Sequence, residues 1–397
     1  MPAPILQAVA SRFPLPLKKP SGSIQVSPQL VRASRAEGRG VLDELGTTRS
    51  SRLRRSRPVA CVVIIATLLT IVSCNRDGAS PVLRQTTAMN SYVNISVYDE
   101  LPRDLVERSI DSAIAEIQRI EDIATDYSDS SEVGRINTAS GDHPVLVSED
   151  LLGVIRKSLA YGDSSGGMFD ITVGPLEKTW DFLAEHPRVP SPDTIAALLP
   201  LVNYRAVKVQ DKSVYLPRRG MALDLGAIGK GFAVERACAV LRRLGMNRFI
   251  VDLGGSLGIE WEGTHGFDST AVTVSIRHPR NEGEFLASFK YGSGAVATSG
   301  DYQRYFMAGG KRYHHILNPR TGYPIDSVVS VTVVTDNATE ADAYSTIVFA
   351  LGKTKGMEYI RKTPGLEGII VTQSGDSVRV DRSPAFEGKL AFGTASQ

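Results

Sequence analysis

Apolar and polar positions alternate most cleanly over 91–98 (SYVNISVY), the pattern of a half-buried strand. A helical period follows over 105–124, then a polar loop containing TDYSDSSEVGRIN and a second helical stretch at 148–162. A Pro-rich connection at 187–192 leads into a short helix near 193–199. Strands are predicted at 205–210, 213–216 and 221–225, and a glycine-rich turn opens a helix over 229–244. Further strands fall near 248–253, 271–277, 285–290 and 328–335, with a helix at 339–351 and a last strand pair at 367–372 and 377–381. Strands and helices do not alternate strictly. The fold class is therefore α+β, with mixed or antiparallel sheets and packed helices, rather than a doubly wound parallel sheet.

The front of the chain has a different pattern. Residues 1–50 are rich in Pro, Ser and Arg without periodicity, and are expected to be disordered or a leader ahead of the true start. Residues 51–73 have the layout of a secretory signal peptide: a basic segment, an apolar run from Val59 to Val72, then Ser73. The run is shorter than the roughly 20 residues a membrane-crossing helix needs. Ile71-Val72-Ser73-Cys74 resembles a bacterial lipobox, in which the cysteine is lipidated. Several acyl chains on Cys74 would make a stable anchor, with 74–87 as a lipidated tether and 88–397 as the folded domain.

Charge narrows the partners. The 45 Lys and Arg nearly cancel 43 Asp and Glu, which gives no reason to expect a nucleic-acid partner. Three cysteines, Cys61, Cys74 and Cys238, exclude a disulfide framework and have no metal-site spacing.

Candidate chemistry concentrates in three segments. LDLGAIGKGFAVERA (223–237) reads strand, glycine turn, helix, and places Lys230 near a helix N-terminus where phosphate oxygens bind. Its spacing is neither a dinucleotide fingerprint nor a Walker A loop, so structural punctuation is an equal reading. In TEADAYSTIVFALG (339–352), Asp342 and Thr346 stand four apart and share one helix face, a way to offer hard oxygens to a divalent cation. Dipole complementation by Asp342 and back-bonding by Thr346 would explain the same residues without a metal. In HHILNPRTGYP, His314 and His315 precede a turn signature that would hold them rigidly. GGMFD (166–170) sets an aromatic ring and a carboxylate after flexible glycines.

These segments, with Tyr127 and SEVGRIN, GGMFDITVGPL, FIVDLGGS and ATSGDY, resemble in order the FAD:protein FMN transferase family, the ApbE-like flavin transferases, over most of 86–395. The resemblance implies a two-lobed, T-fold-related architecture in a bacterial envelope lipoprotein facing the periplasm or exterior. The implied reaction is Mg²⁺-dependent (Mn²⁺ as alternative): FAD is split, FMN is joined through a phosphoester to a threonine of an acceptor protein, and AMP leaves. Redox-pump subunits or secreted flavoproteins are the implied acceptors. By resemblance Met89, Tyr127, Met168, Phe169, Asp170, Asp224 and Lys230 hold FAD. The Ala227 carbonyl, Asp342 and Thr346 hold the metal with Ser345 nearby, and His315 assists deprotonation of the acceptor. His314 is expected to be the less constrained neighbour. The chain reads Met89-Asn90-Ser91 where the family usually reads Met-Gly-Thr. An FAD pyrophosphatase and a non-enzymatic flavin-binding lipoprotein are the rival readings.

Overall fold

The computed structural model describes residues 24–27, 81–375 and 377–393. The signal segment and Cys74 lie outside them. One antiparallel sheet carries eight strands: β1 (Val82–Ala88), β2 (Ser91–Val97), β3 (Arg248–Leu253), β4 (Ser256–Trp261), β5 (Gly294–Gly300), β6 (Ser330–Thr335), β7 (Glu367–Ser374) and β8 (Ser377–Arg382). Each neighbours the next in chain order across the sheet. Within 82–382 every other structural unit is an excursion between two adjacent strands.

The period-two pattern decides what covers each face. Val93, Ile95, Phe249, Val251, Val331 and Val333 face a layer formed by α1 (Arg103–Ala124), α6 (Gly229–Arg243) and α7 (Ala338–Lys362). Their alternates Ile250, Val334, Ile369 and Val371 pack on the opposite side against Val274, Ile276 and Phe289 of a small sheet built on 272–277 and 285–291. Where α6 crosses β4, Gly258 leaves no room: a Cβ there would lie 2.4 Å from Cys238 Sγ and 2.9 Å from Val234.

The long excursion between β2 and β3 forms the second lobe, with α2 (Glu132–Thr138), α3 (Glu149–Ser164), α4 (Gly174–Trp180) and α5 (Pro192–Leu198). Its core contains Leu151, Ile155, Phe169, Leu223 and Ile228, and also Ala343 and Ile347 of α7. Helix α7 thus sends Ala341, Val348 and Phe349 into one core and Ala343 and Ile347 into the other. It is the shared wall of two lobes. Its first segment stops at Gly352, whose φ of 75° and ψ of 178° only glycine adopts readily, as the expected end at 351 anticipates.

Four local expectations need correction. Residues 82–87, assigned to the tether, form β1, because pairing with β2 supplies the order that the polar sequence VLRQTTA does not advertise. Ile24–Ser27, inside the expected disordered leader, form a strand paired with Thr273–Ile276. The strand expected at 221–225 is irregular chain with one isolated bridge, Val173 to Ala222, because its backbone is spent on side-chain clamps such as Asn137 to Leu223. A hairpin, 305–308 with 311–314, turns at Gly309-Gly310 and escaped the pattern.

Replacing Gly258 with Ala should lower stability by about 1–3 kcal/mol through overpacking at Cys238. Urea unfolding would show a lower midpoint at unchanged slope; an unchanged midpoint would mean that α6 does not press on β4.

Candidate active site

Between the lobes lies a cleft of ≈ 2390 Å³. The start of α6 lies on its wall. Leu223 to Ile228 reach it through a series of turns, one of which is fixed by Asp224 Oδ1 accepting from Gly226 N at 2.7 Å. The N–H of Gly231 donates to Asp342 Oδ2 at 2.8 Å rather than back to Ala227. The Ala227 carbonyl, on the cleft wall, is left without a backbone donor. A Cβ on Gly231 would stand 2.2 Å from Ala338 O and 2.5 Å from Asp342 Cβ, so this glycine is what lets α7 reach the end of α6.

Asp342 is only 5% exposed, yet three donors meet its carboxylate. Besides Gly231 N, Ser256 Oγ donates to Oδ1 at 2.9 Å and Lys230 Nζ stands 3.4 Å from the same oxygen. The positive end of α6 adds to them. One turn along, Thr346 lines the cleft, with its Oγ1 3.3 Å from Ser299 Oγ and 3.4 Å from Asp342 O. Ser345 meets the same two partners more closely but is buried away from the cleft. It is 1% exposed, donates to Asp342 O and meets Ser299 Oγ, both at 2.8 Å, so its hydroxyl is used between α7 and β5. The i+4 spacing reaches the cleft and the i+3 spacing does not.

The two histidines separate cleanly. His314, expected to be the freer one, is the fixed one: its Nε2 bonds Ile325 O at 2.5 Å, its Nδ1 accepts from Ile316 N at 3.2 Å, and its ring meets Phe349 edge-on. His315 lines the cleft. Its Nδ1 points to Arg304 O at 3.4 Å, a contact that requires the proton on Nδ1 and leaves the Nε2 lone pair available. Burial, then the Arg304 guanidinium, hold the imidazole well below its usual range. At neutral pH it is an uncharged base.

The residues expected to hold flavin surround the same space. Met89 and Asn90 form the two-residue turn of the β1–β2 hairpin, with φ of 52° and 55°. Both are left-handed, as a type I′ turn requires, and asparagine tolerates that region, which accommodates the departure from Met-Gly-Thr. Glu121 fixes the turn by accepting from Met89 N at 2.7 Å. Tyr127 is 73% exposed on the rim. Met168 is partly buried on the wall, whereas Phe169 is 2% exposed with its ring edge-on to Tyr161, a floor rather than an open contact. Asp170 accepts from Thr172 N, Thr172 Oγ1 and Tyr204 N, so its carboxylate fixes the loop.

Several cleft residues carry no motif of their own. Asp126 and Glu177 stand with Asp224: burial, then neighbouring Asp224, push Asp126 up to about 6 and Glu177 well above the carboxylate range. Burial raises Asp224 as well, and the nearby Arg304 opposes the rise in Asp224 and Glu177. Arg304 lies three residues past the end of TSGD, and Ser299 within it, so that segment was the available signal. Asn137 of SEVGRIN is a clamp, pairing both its amide atoms with Leu223.

Fold and cleft together define a two-lobed α+β protein whose interlobar site joins a helix N-terminus, a lysine, a buried carboxylate and a neutral imidazole. The chain belongs to the ApbE family, whose model matches residues 89–370. It is 35% identical over 268 residues to an FAD:protein FMN transferase of Klebsiella pneumoniae (strain 342), covering 66% of this chain and 81% of the relative. An FAD:protein FMN transferase of Treponema pallidum (strain Nichols) is 29% identical, covering 78% and 90%. The crystal structure of an ApbE protein from Thermotoga maritima matches with a TM-score of 0.70 at 30% identity, over 78% of this chain and 98% of that one.

His314→Ala strands a buried N–H and carbonyl and should cost about 1–3 kcal/mol, whereas His315→Ala, which gives up one contact of 3.4 Å, should cost less. Thermal unfolding of the two variants should therefore show the larger drop for His314→Ala; equal transitions would remove the division of roles.

Proposed function

We propose that this chain transfers FMN from FAD to a threonine hydroxyl of an acceptor protein, with Mg²⁺ (or Mn²⁺) at Asp342, Thr346 and the Ala227 carbonyl. The observation that carries the reading is the meeting, in one cleft, of the Asp342 carboxylate at the head of α6 with Lys230 and the uncharged His315. The oxygens present fit such a cation. They are hard donors, and among the described residues no cluster of three or more His, Cys, Asp or Glu offers a cage. Mg²⁺ characteristically takes one or two carboxylates and completes its shell with water and substrate phosphates. When bound, the cation would neutralise charge on the pyrophosphate oxygens and ease departure of AMP.

The chain's own groups do the rest. The α6 N-terminus and Lys230 receive phosphate charge, and His315 Nε2 takes the proton of the attacking hydroxyl. The new bond joins threonine oxygen to the phosphorus of the FMN half; the bond that breaks is the pyrophosphate bridge, and its electrons leave on AMP. Flavin contacts are assigned to Met89, Tyr127 and Met168 along the wall, with Phe169, Asp170 and Asp224 fixing that wall. The lipobox motif supports a lipid anchor at Cys74 on the bacterial cell envelope, facing the periplasm or exterior, with redox-pump subunits or secreted flavoproteins as acceptors. Among the described residues no helix is long and apolar enough to cross a membrane.

Intact-mass measurement of a threonine-bearing acceptor incubated with the protein, FAD and Mg²⁺ should show a gain of one FMN, abolished by a metal chelator. Free FMN with no gain on the acceptor would assign the cleft to FAD hydrolysis instead, and intact FAD would leave only a flavin-binding protein. Asp342→Ala should slow transfer by about 10²-fold or more, since a metal contributes several kcal/mol to such a transition state.

The pH profile has a definite sign. Transfer needs the unprotonated imidazole and is lost as pH falls through a pKa held below 6.5, so the acid limb should lie below pH 6.5. In Arg304→Gln the limb should move up, because a neighbouring cation has been removed. An acid limb unmoved in Arg304→Gln and lost in neither histidine variant would take the base away from His315.

A further inference from the structure

The transferase reading leaves open how a folded partner presents its hydroxyl to a cleft, and the outer edge of the sheet supplies a means. β1 is the terminal strand of the eight. Its register is fixed by the two-residue turn at Met89-Asn90, which makes Ala88 and Ser91 the closing hydrogen-bonded pair. Hydrogen-bonded and non-bonded pairs then alternate, so Thr86 and Arg84 bond inward to β2 while Leu83, Gln85 and Thr87 turn their N–H and C=O groups outward.

Those same three residues line the cleft that holds His315, and Leu83 is 54% exposed. Natural edges are usually blunted by lysine, proline or a bulge. The seven residues VLRQTTA have none of these, and their one charged side chain, Arg84, is engaged 3.1 Å from Asp111 on α1. The cleft itself, ≈ 2390 Å³, exceeds the roughly 300–1,000 Å³ of a small-molecule site, which leaves room for a polypeptide beside a dinucleotide.

We propose that the acceptor protein docks by adding an extended, threonine-bearing segment as a strand along the outer edge of β1, which lays that segment along the lip of the cleft. The inference rests on the transferase reading above. Main-chain hydrogen bonds supply the affinity in this mode and side-chain pockets the selectivity. Acceptors of differing sequence can therefore be served, provided the segment around the threonine can extend.

The test is hydrogen exchange at single amides, on the full-length protein with FAD and the acceptor domain used in the mass assay. Leu83, Gln85 and Thr87 should exchange fast in the free protein and slow at least tenfold when acceptor saturates it. Arg84 and Thr86, bonded inside the sheet, should stay slow throughout. In parallel, Gln85→Pro removes one outward N–H without touching the β1–β2 ladder. It should raise the acceptor KM at least tenfold with FAD binding unchanged, and Gln85→Thr should restore the wild-type KM. Outward amides that are already slow in the free protein would give the edge to the chain's own preceding residues, or, where sedimentation shows a dimer that Gln85→Pro dissociates, to a second copy; either overturns the proposal. So would fast amides under saturating acceptor, or a wild-type KM in Gln85→Pro. FMN gain on the acceptor with unprotected amides defeats the edge alone, whereas no gain with the wild-type protein defeats the transferase reading and this inference with it.

Discussion

One buried carboxylate organises the functional half of this molecule. Asp342 lies on a helix segment whose residues are mostly buried, and an unpaired charge there would be costly. It is kept by the head of α6: Gly231 N–H, the Lys230 ammonium, the helix dipole, and Ser256 from β4. Each requirement propagates outward. Residue 231 must be glycine for the helices to touch, and the N–H that Gly231 gives to Asp342 is withdrawn from Ala227, which frees a carbonyl in the cleft. The carboxylate is thus both the joint between two helices and the reason a second oxygen is available beside it.

The placement of α7 makes that joint stiff. Its residues enter the cores of both lobes, so the position of Asp342 is set by packing on two sides rather than by a loop. Around it the cleft divides electrostatically. Lys230 and the α6 terminus favour phosphate, while burial raises Asp126, Glu177 and Asp224 toward the neutral form and the Asp224 charge adds to the rise in the other two. Arg304 belongs to both regions: its carbonyl orients His315, and its guanidinium adds to burial in keeping that imidazole uncharged.

Much of this was legible in the chain. The helices over 105–124 and 229–244 announced themselves by period, because each has one buried face, and strand 248–253, buried on both faces, showed as a short apolar run ending at glycines. Spacing put Lys230 at a glycine turn that opens a helix and Asp342 with Thr346 on one helix face, but left structural readings open; the family resemblance is what pointed to phosphate and a cation. What escaped depends on tertiary partners. β1 has a polar exposed face and is a strand only because β2 pairs with it. Ser345, expected near the metal beside Thr346, is buried against β5, whereas Thr346, which touches the same Ser299, keeps a place on the cleft wall. The roles of His314 and His315 turn on Ile325 and Arg304, carbonyl partners that no local pattern names. Arg304 and Glu177 reach the cleft from separate excursions, and only the fold brings them together.

The central claim is that the Asp342 carboxylate accepts a divalent cation when phosphate oxygens arrive to complete its shell. Electron paramagnetic resonance of Mn²⁺ titrated onto the FAD-loaded protein tests it most directly. One tightly bound ion per chain in the wild type, lost in Asp342→Asn while FAD remains bound, is the result this account predicts. Equal Mn²⁺ binding in both proteins would contradict it.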